Sequence, residues 1–100
     1  MVDVTRVGTG DPLEFDVTID GGEGKTQHRV TMSRETYSRV SEGEQTPEKC
    51  IEAAFLFLLD REPKEAILAH FDITVISRYF PEFEEKLPVY MRRAKNSDSV

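Results

Sequence analysis

The chain has 100 residues, which is enough for one hydrophobic core but not for two, so we expect a single domain. Its 13 basic and 19 acidic side chains give a net charge of -6, which disfavours non-specific binding to nucleic acid or anionic lipid. The lone Cys50 excludes an internal disulfide, and the N-terminus does not resemble a signal peptide, so we expect a cytoplasmic protein. No apolar run is long enough to span a bilayer.

The N-terminal third of the chain predicts β-structure. Residues Leu13 to Asp20 alternate apolar and polar side chains, which is the period of a strand with one buried face. The glycine-rich segment 21–24 tolerates positive φ, and the alternation resumes from Gln27 to Met32. The pattern predicts a β-hairpin, with Val2 to Val4 as a candidate third strand at its edge. Because two strands alone are marginally stable, we expect the apolar face to lie on a helix.

Two helices follow the hairpin. Ser33 is the predicted N-cap of a short helix from Arg34 to Val40, which Gly43 is expected to end. Thr46 followed by proline is a strong start signal for a second helix, Pro47 to Leu59. Apolar side chains occupy nearly every angle of its C-terminal half, so we expect this helix to be central and covered on all sides.

The remaining helices are predicted from shorter signals. Pro63 cannot sit inside a helix, so the chain should bend before it and then form a third helix. Asp72 is a candidate cap for a fourth helix that Pro81 ends. The predicted buried positions of the third helix are Ile67, Leu68 and Phe71, and those of the fourth are Ile73, Ile76 and Phe80.

The C-terminal end completes the predicted fold. One further turn carries Phe83 and is expected to end at Pro88. Residues 92–100 hold almost no apolar surface, so we predict a disordered tail after a globular domain of residues 1–91. The fold class is therefore α+β, in which an N-terminal antiparallel β-hairpin packs on three or four short helices around a central buried helix.

Residues that could support catalysis or bind a cofactor do not form a recognisable motif. Segment 24–26 reads Gly-Lys-Thr, but it lacks the upstream glycine and the following helix of a phosphate-binding loop. Cys50 falls on the apolar stripe of its helix, and His28 and His70 have no metal-ligand spacing. The alternating charges of segment 60–65 favour an ion-paired helix junction over a pair of catalytic carboxylates. We therefore expect a non-enzymatic protein without catalytic residues, cofactor or metal.

The best candidate for a binding surface is the segment 78–83. It combines three aromatic rings, an arginine and a proline, a composition typical of protein-binding hot spots. Alternatively the rings close the core, since Phe80 and Phe83 can both point inward while Arg78 and Tyr79 project outward. We predict that Arg78, Tyr79 and Phe83 contact a partner, which is another protein or a second copy of this chain.

From Gln27 to Arg61 the order strand, Ser33-capped helix, turn, Thr46-capped helix resembles the ribbon-helix-helix family of dimeric repressors. The resemblance implies an alternative function in which the strand pairs with that of a second subunit and enters the major groove of DNA. The residues that match the family's base-reading positions are Gln27, Arg29 and Thr31. The acidic net charge disfavours this alternative, whereas the basic side chains near the strand favour it.

Overall fold

The structure of the chain is a computed structural model that describes residues 1–22, 24–41 and 45–98. Four strands form one sheet, and the helices follow the first three strands in the chain. The strands are β1 (Val2–Gly8), β2 (Leu13–Gly21), β3 (Gly24–Met32) and β4 (His70–Asp72). The helices are α1 (Arg34–Ser41), α2 (Pro47–Leu59), α3 (Thr74–Tyr79) and α4 (Phe83–Asp98), with a single 3-10 turn at Lys64–Ala66.

The predicted α+β class and the N-terminal hairpin are confirmed. The sheet order is β1-β2-β3-β4, with β1, β2 and β3 antiparallel and β4 parallel to β3. Gly22 in the β2–β3 turn has φ of 63°, a conformation that glycine adopts without a steric penalty. The next residue, Glu23, lies outside the described residues. The candidate edge strand exists and is longer than expected, because β1 continues to Gly8.

The sheet buries one face, as the alternation predicts. Side chains on this inner face of β2 and β3 are buried, and α2 lies across them. The ring of Phe55 on α2 is 5.4 Å from the ring of His28 and 5.9 Å from that of Phe71, measured between centroids. The buried residues of this face are Leu13, Phe15, Val17, Ile19, His28, Val30 and Met32.

The opposite side of α2 packs against α4, so α2 lies between the sheet and a second layer of helix. Phe57 is fully buried, and three aromatic rings from the C-terminal part of the chain make edge-on contacts with it. The prediction of a central buried helix is therefore confirmed, but α2 is not covered on all sides, because the face with Glu52, Leu56 and Leu59 is half-buried and borders an open surface. The three rings belong to Phe80, Phe83 and Tyr90.

Both predicted N-caps of the first two helices are present. The hydroxyl of Ser33 accepts a hydrogen bond from the backbone N–H of Thr36 at 3.0 Å, and that of Thr46 accepts one from Lys49 at 3.2 Å. Each bond satisfies one of the free N–H groups at a helix start. Gly43, the predicted end of the first helix, lies outside the described residues.

The predicted third helix is wrong. Its segment forms only the 3-10 turn and then the strand β4, which pairs with the open edge of β3. The backbone N–H of Arg29 donates to the carbonyl of Ala69 at 2.7 Å, and the N–H of Ile73 donates to that of Thr31 at 2.9 Å. Long-range pairing with a free strand edge therefore outweighs the local helical pattern. As a result, Leu68 is 49% exposed instead of buried, whereas Ile67 and Phe71 are buried as predicted.

The last helix is longer than predicted. It continues through Pro88 to Asp98, and Ala94 is fully buried, so the turn 92–94 belongs to the fold and not to a disordered tail. An apolar stripe with helical spacing continues past the proline, and its contact with α2 outweighs the loss of one backbone hydrogen bond. Residues 99 and 100 lie outside the described residues. Along the described ranges, the helices are all too short or too polar to cross a membrane.

Candidate protein-binding groove

An open apolar groove lies where the end of α2, the 3-10 turn and α3 meet. Its volume is about 410 Å³. One wall comes from the end of α2 and the turn after it, and the other comes from α3. We call it the Tyr79 groove, after the exposed ring on its rim. Its buried or half-buried apolar lining residues are Leu58, Ile67, Phe71, Val75, Ile76 and Phe80.

Two large apolar side chains on the rim of the Tyr79 groove are exposed to solvent. Tyr79 is 69% exposed and Leu68 is 49% exposed. Single exposed apolar residues are ordinary, but two beside an apolar groove extend one continuous patch. Tyrosine is also enriched in protein interfaces, because its ring adds contact area and its hydroxyl stays hydrated or bonded. The rim therefore has the composition of a binding surface.

His28 fixes the backbone of the rim from the side of the sheet. Its Nδ1 lies 2.7 Å from the carbonyl oxygen of Leu68, and its Nε2 lies 2.9 Å from the hydroxyl of Thr26. A carbonyl can only accept, so we assign the proton to Nδ1, and Nε2 then accepts from the hydroxyl. The buried histidine thus has a structural role and holds Leu68 at the rim.

The Tyr79 groove carries one acid and one base that have no ion-pair partner among the described residues. Glu62 lines one wall, and Arg78 lies on α3, three positions after the wall residue Val75 and thus beside it. In contrast, the neighbouring Arg61 bonds to Glu82 at 3.2 Å. Unpaired charges next to an apolar surface are available to a partner.

Of the three predicted contact residues, two lie on the surface and one lies in the core. Arg78 and Tyr79 are exposed, as required of a contact. Phe83 is only 2% exposed, and its ring meets that of Phe57 at 5.0 Å between centroids with an interplanar angle of 69°. Phe83 is therefore a core residue here and does not reach the surface. Sequence reasoning missed Leu68 and Glu62, because only the unexpected strand β4 brings their segment against α3.

The charged junction after α2 is held by a polar network. The guanidinium carbon of Arg61 lies 3.7 Å from the centroid of the Phe57 ring, and Arg61 also donates to the hydroxyl of Tyr90 at 3.3 Å. That hydroxyl donates to Asp60 at 2.7 Å. This hydrogen bond, together with Arg93, lowers the pKa of the Asp60 carboxyl below its usual value. This network ties α2 to α4, and Asp60 and Glu82 are each paired with an arginine.

The three residues that match the ribbon-helix-helix family project from the outer face of β3, but Arg29 and Thr31 are engaged within the chain. Arg29 bonds to Asp16 at 2.5 Å, and the hydroxyl of Thr31 donates to Asp72 at 2.6 Å. Gln27 is exposed. Over residues 29–31, β3 has β2 on one edge and β4 on the other. A second subunit cannot pair with this part of β3 unless one neighbour leaves.

Cys50 is fully buried in the core cluster. Burial raises the pKa of its thiol to about 12, because the thiolate would lose its hydration. A substrate cannot reach the sulfur in this state. His28 lies on the inner face of the sheet, whereas His70 is exposed in β4. Within the described ranges, no group of three or more histidine, cysteine, aspartate or glutamate residues could hold a metal ion.

We predict that Cys50 resists alkylation in the folded protein. At pH 8.5 the thiolate fraction of a thiol with a pKa near 12 is about a thousand-fold smaller than that of a free cysteine. Burial also keeps the reagent away from the sulfur. Iodoacetamide labelling followed by mass spectrometry measures the rate, and the signal is unambiguous because the chain has one cysteine. The same protein in guanidinium chloride is the control and should label within minutes. Rapid labelling of the folded protein would show that the core around Cys50 is open.

Comparison of the chain with protein-family models, with curated proteins and with solved structures finds no significant match.

Proposed function

We propose that this chain is a non-enzymatic cytoplasmic protein-interaction module that binds another protein chain through the Tyr79 groove. The observation that carries the proposal is the combination of an open apolar groove with an exposed tyrosine and leucine on its rim. Leu58 at the end of the buried helix α2 lines the groove, and the hydrogen bond from His28 fixes one rim. A rigid, preformed surface loses little conformational freedom when it binds.

The chemistry of the lining supports a polypeptide ligand. A volume of about 410 Å³ also suits a small molecule, but small-molecule sites orient their ligand with several convergent polar groups. Among the described residues that line the Tyr79 groove, Glu62 alone is charged, and the hydroxyl of Tyr79 lies at the rim. Such a lining can bind apolar side chains and form an ion pair with one basic group. This is how a pocket typically binds an anchor residue in a protein contact.

Site-specific photo-crosslinking in cells tests the proposal. A photoreactive amino acid replaces Leu68 in one variant and Val89, which is 46% exposed on α4 away from the groove, in a matched control. We expect an adduct with a polypeptide from position 68 and none from position 89. Mass spectrometry identifies the linked chain, and the exposed substitution Tyr79→Ala in the same background should reduce the yield several-fold, since it removes the rim anchor.

Two results would contradict the proposal. Equal adducts from both positions would mean non-specific collision, and the absence of adducts from position 68 would mean that no protein occupies the groove. Circular dichroism of each purified variant checks that the fold is retained, which we expect because all three positions are exposed.

A further inference from the structure

We infer that the chain bound in the Tyr79 groove is a second copy of this protein, related to the first by a two-fold axis. The inference rests on the proposed function and names the partner. In this dimer Tyr79 of each copy packs into the groove of the other, and Glu62 of each copy faces Arg78 of the other.

The charges of the groove make it complementary to itself. Glu62 lines the wall at the end of α2, whereas Arg78 is exposed on α3, beside the wall that Val75 and Tyr79 line. When the two-fold axis runs along the groove, each wall lies opposite the unlike wall of the partner, so that Glu62 and Arg78 of the two copies form two equivalent ion pairs. Neither side chain has an ion-pair partner in the described part of the monomer, so the dimer breaks no existing ion pair to form them.

The apolar part of the patch fits the same arrangement. Tyr79 is exposed on the rim, and the groove beside it is open to solvent among the described residues. A protruding ring next to a concave apolar surface is the shape that an isologous interface requires, because each copy offers both the ring and its receptor. Pairing the two grooves would bury Tyr79 and Leu68 on both copies, and burial of apolar area favours association.

The state of the charged side chains favours this patch over the open surface beside β1. With a net charge of -6, two copies repel unless the contact itself is locally neutral. The Tyr79 groove has one acid on its wall and one base beside it, and neither has an ion-pair partner among the described residues. A larger open surface, beside the edge strand β1, is lined by Asp3, Glu48, Lys49 and Glu52, but Glu48 is paired with Arg6 and Glu52 with Lys49, so these charges are already engaged within the chain. In addition, the inward-facing Arg6 and a register shift between Arg6 and Gly8 disfavour pairing at that edge.

The dimer is expected to be weak. Stable interfaces bury about 800 Å² per partner, and the groove with its rim supplies only part of such an area. We therefore expect a dissociation constant in the micromolar range. Sedimentation equilibrium of the purified full chain should cover protein concentrations up to several hundred micromolar.

Charge reversal gives the decisive experiment. Glu62→Arg places two positive charges opposite each other in the dimer, and Arg78→Glu places two negative charges there, so each should weaken the dimer at least ten-fold. A mixture of the two single variants restores both ion pairs and should form a heterodimer. The double variant Glu62→Arg with Arg78→Glu restores the pairs with the charges exchanged and should dimerise nearly as the original chain does. Arg34→Glu, at an exposed position on α1, is the matched control and should leave the dimer unchanged.

The possible outcomes separate this inference from the proposed function. A chain that stays monomeric at all concentrations, while position 68 still crosslinks to a different protein, overturns the dimer and leaves the binding module intact. A dimer that neither single variant weakens uses another surface and also overturns the inference. Equal loss in both single variants without rescue in the mixture shows that the two charges do not face each other. Absence of both crosslinks and dimer overturns both proposals.

Discussion

Replacing Phe57 by alanine is expected to lower the free energy of unfolding by about 3–5 kcal/mol. Its ring is fully buried and meets three other aromatic rings, and Arg61 lies over its face. Alanine leaves a cavity at the contact between α2 and α4, which joins the two helical layers. A domain of this size typically has about 5–15 kcal/mol of stability, so the variant should be close to unfolding. Urea denaturation followed by circular dichroism measures the change.

Two controls show whether the cavity is the cause. Phe57→Leu retains much of the apolar volume and should lower the stability by roughly 1–2 kcal/mol. Val89→Ala removes an exposed apolar side chain from α4 and should change it by less than about 0.5 kcal/mol. A Phe57→Ala variant as stable as Val89→Ala would mean that α2 does not pack against α4 through this ring.

Replacing Arg61 by alanine is expected to lower the free energy of unfolding by roughly 1.5–3 kcal/mol. The substitution removes the guanidinium from the face of Phe57 and leaves the carbonyl oxygen of Phe57, the hydroxyl of Tyr90 and the carboxylate of Glu82 with one bond fewer each. Because several contacts depend on one half-buried side chain, the effect should exceed that of an ordinary surface ion pair. Thermal and urea denaturation of the purified variant measure it.

The matched control is another arginine in an ion pair. Arg39 bonds to Glu84 at 2.9 Å, but both side chains are largely exposed, so Arg39→Ala should lower the stability by no more than about 1 kcal/mol. Arg61→Lys keeps the charge but not the planar group, and should recover less than half of the loss. If the two alanine substitutions lowered the free energy of unfolding equally, the network around Arg61 would contribute no more stability than a surface ion pair.

Several elements follow directly from local sequence signals. The β2–β3 hairpin is set by the two-residue period and the glycine-rich turn, and α2 begins and ends where Thr46, Pro47 and Asp60 predict. These signals act between residues that are close in the chain, so they can be read without knowledge of the fold. The conclusion that α2 needs packing partners on two sides also follows from its composition alone.

The candidate site depended on contacts between distant parts of the chain. The segment 67–72 has a pattern that fits a helix, and only the open edge of β3, about 40 residues earlier, makes it a strand. That pairing turns Leu68 outward and places Glu62 across the groove from α3. Likewise, the segment 78–83 predicts an interface, but which of its rings lies in the core is decided by their distance from Phe57.

The amino-acid sequence by itself determined the hairpin, the caps and the central apolar helix of this protein, because periodicity and capping act over a few neighbouring residues. Only the tertiary structure decided the fourth strand, the course of the last helix beyond its proline and the existence of the Tyr79 groove. Each of these arises where segments far apart in the chain compete for the same free strand edge or the same apolar surface, and that competition has no local signature.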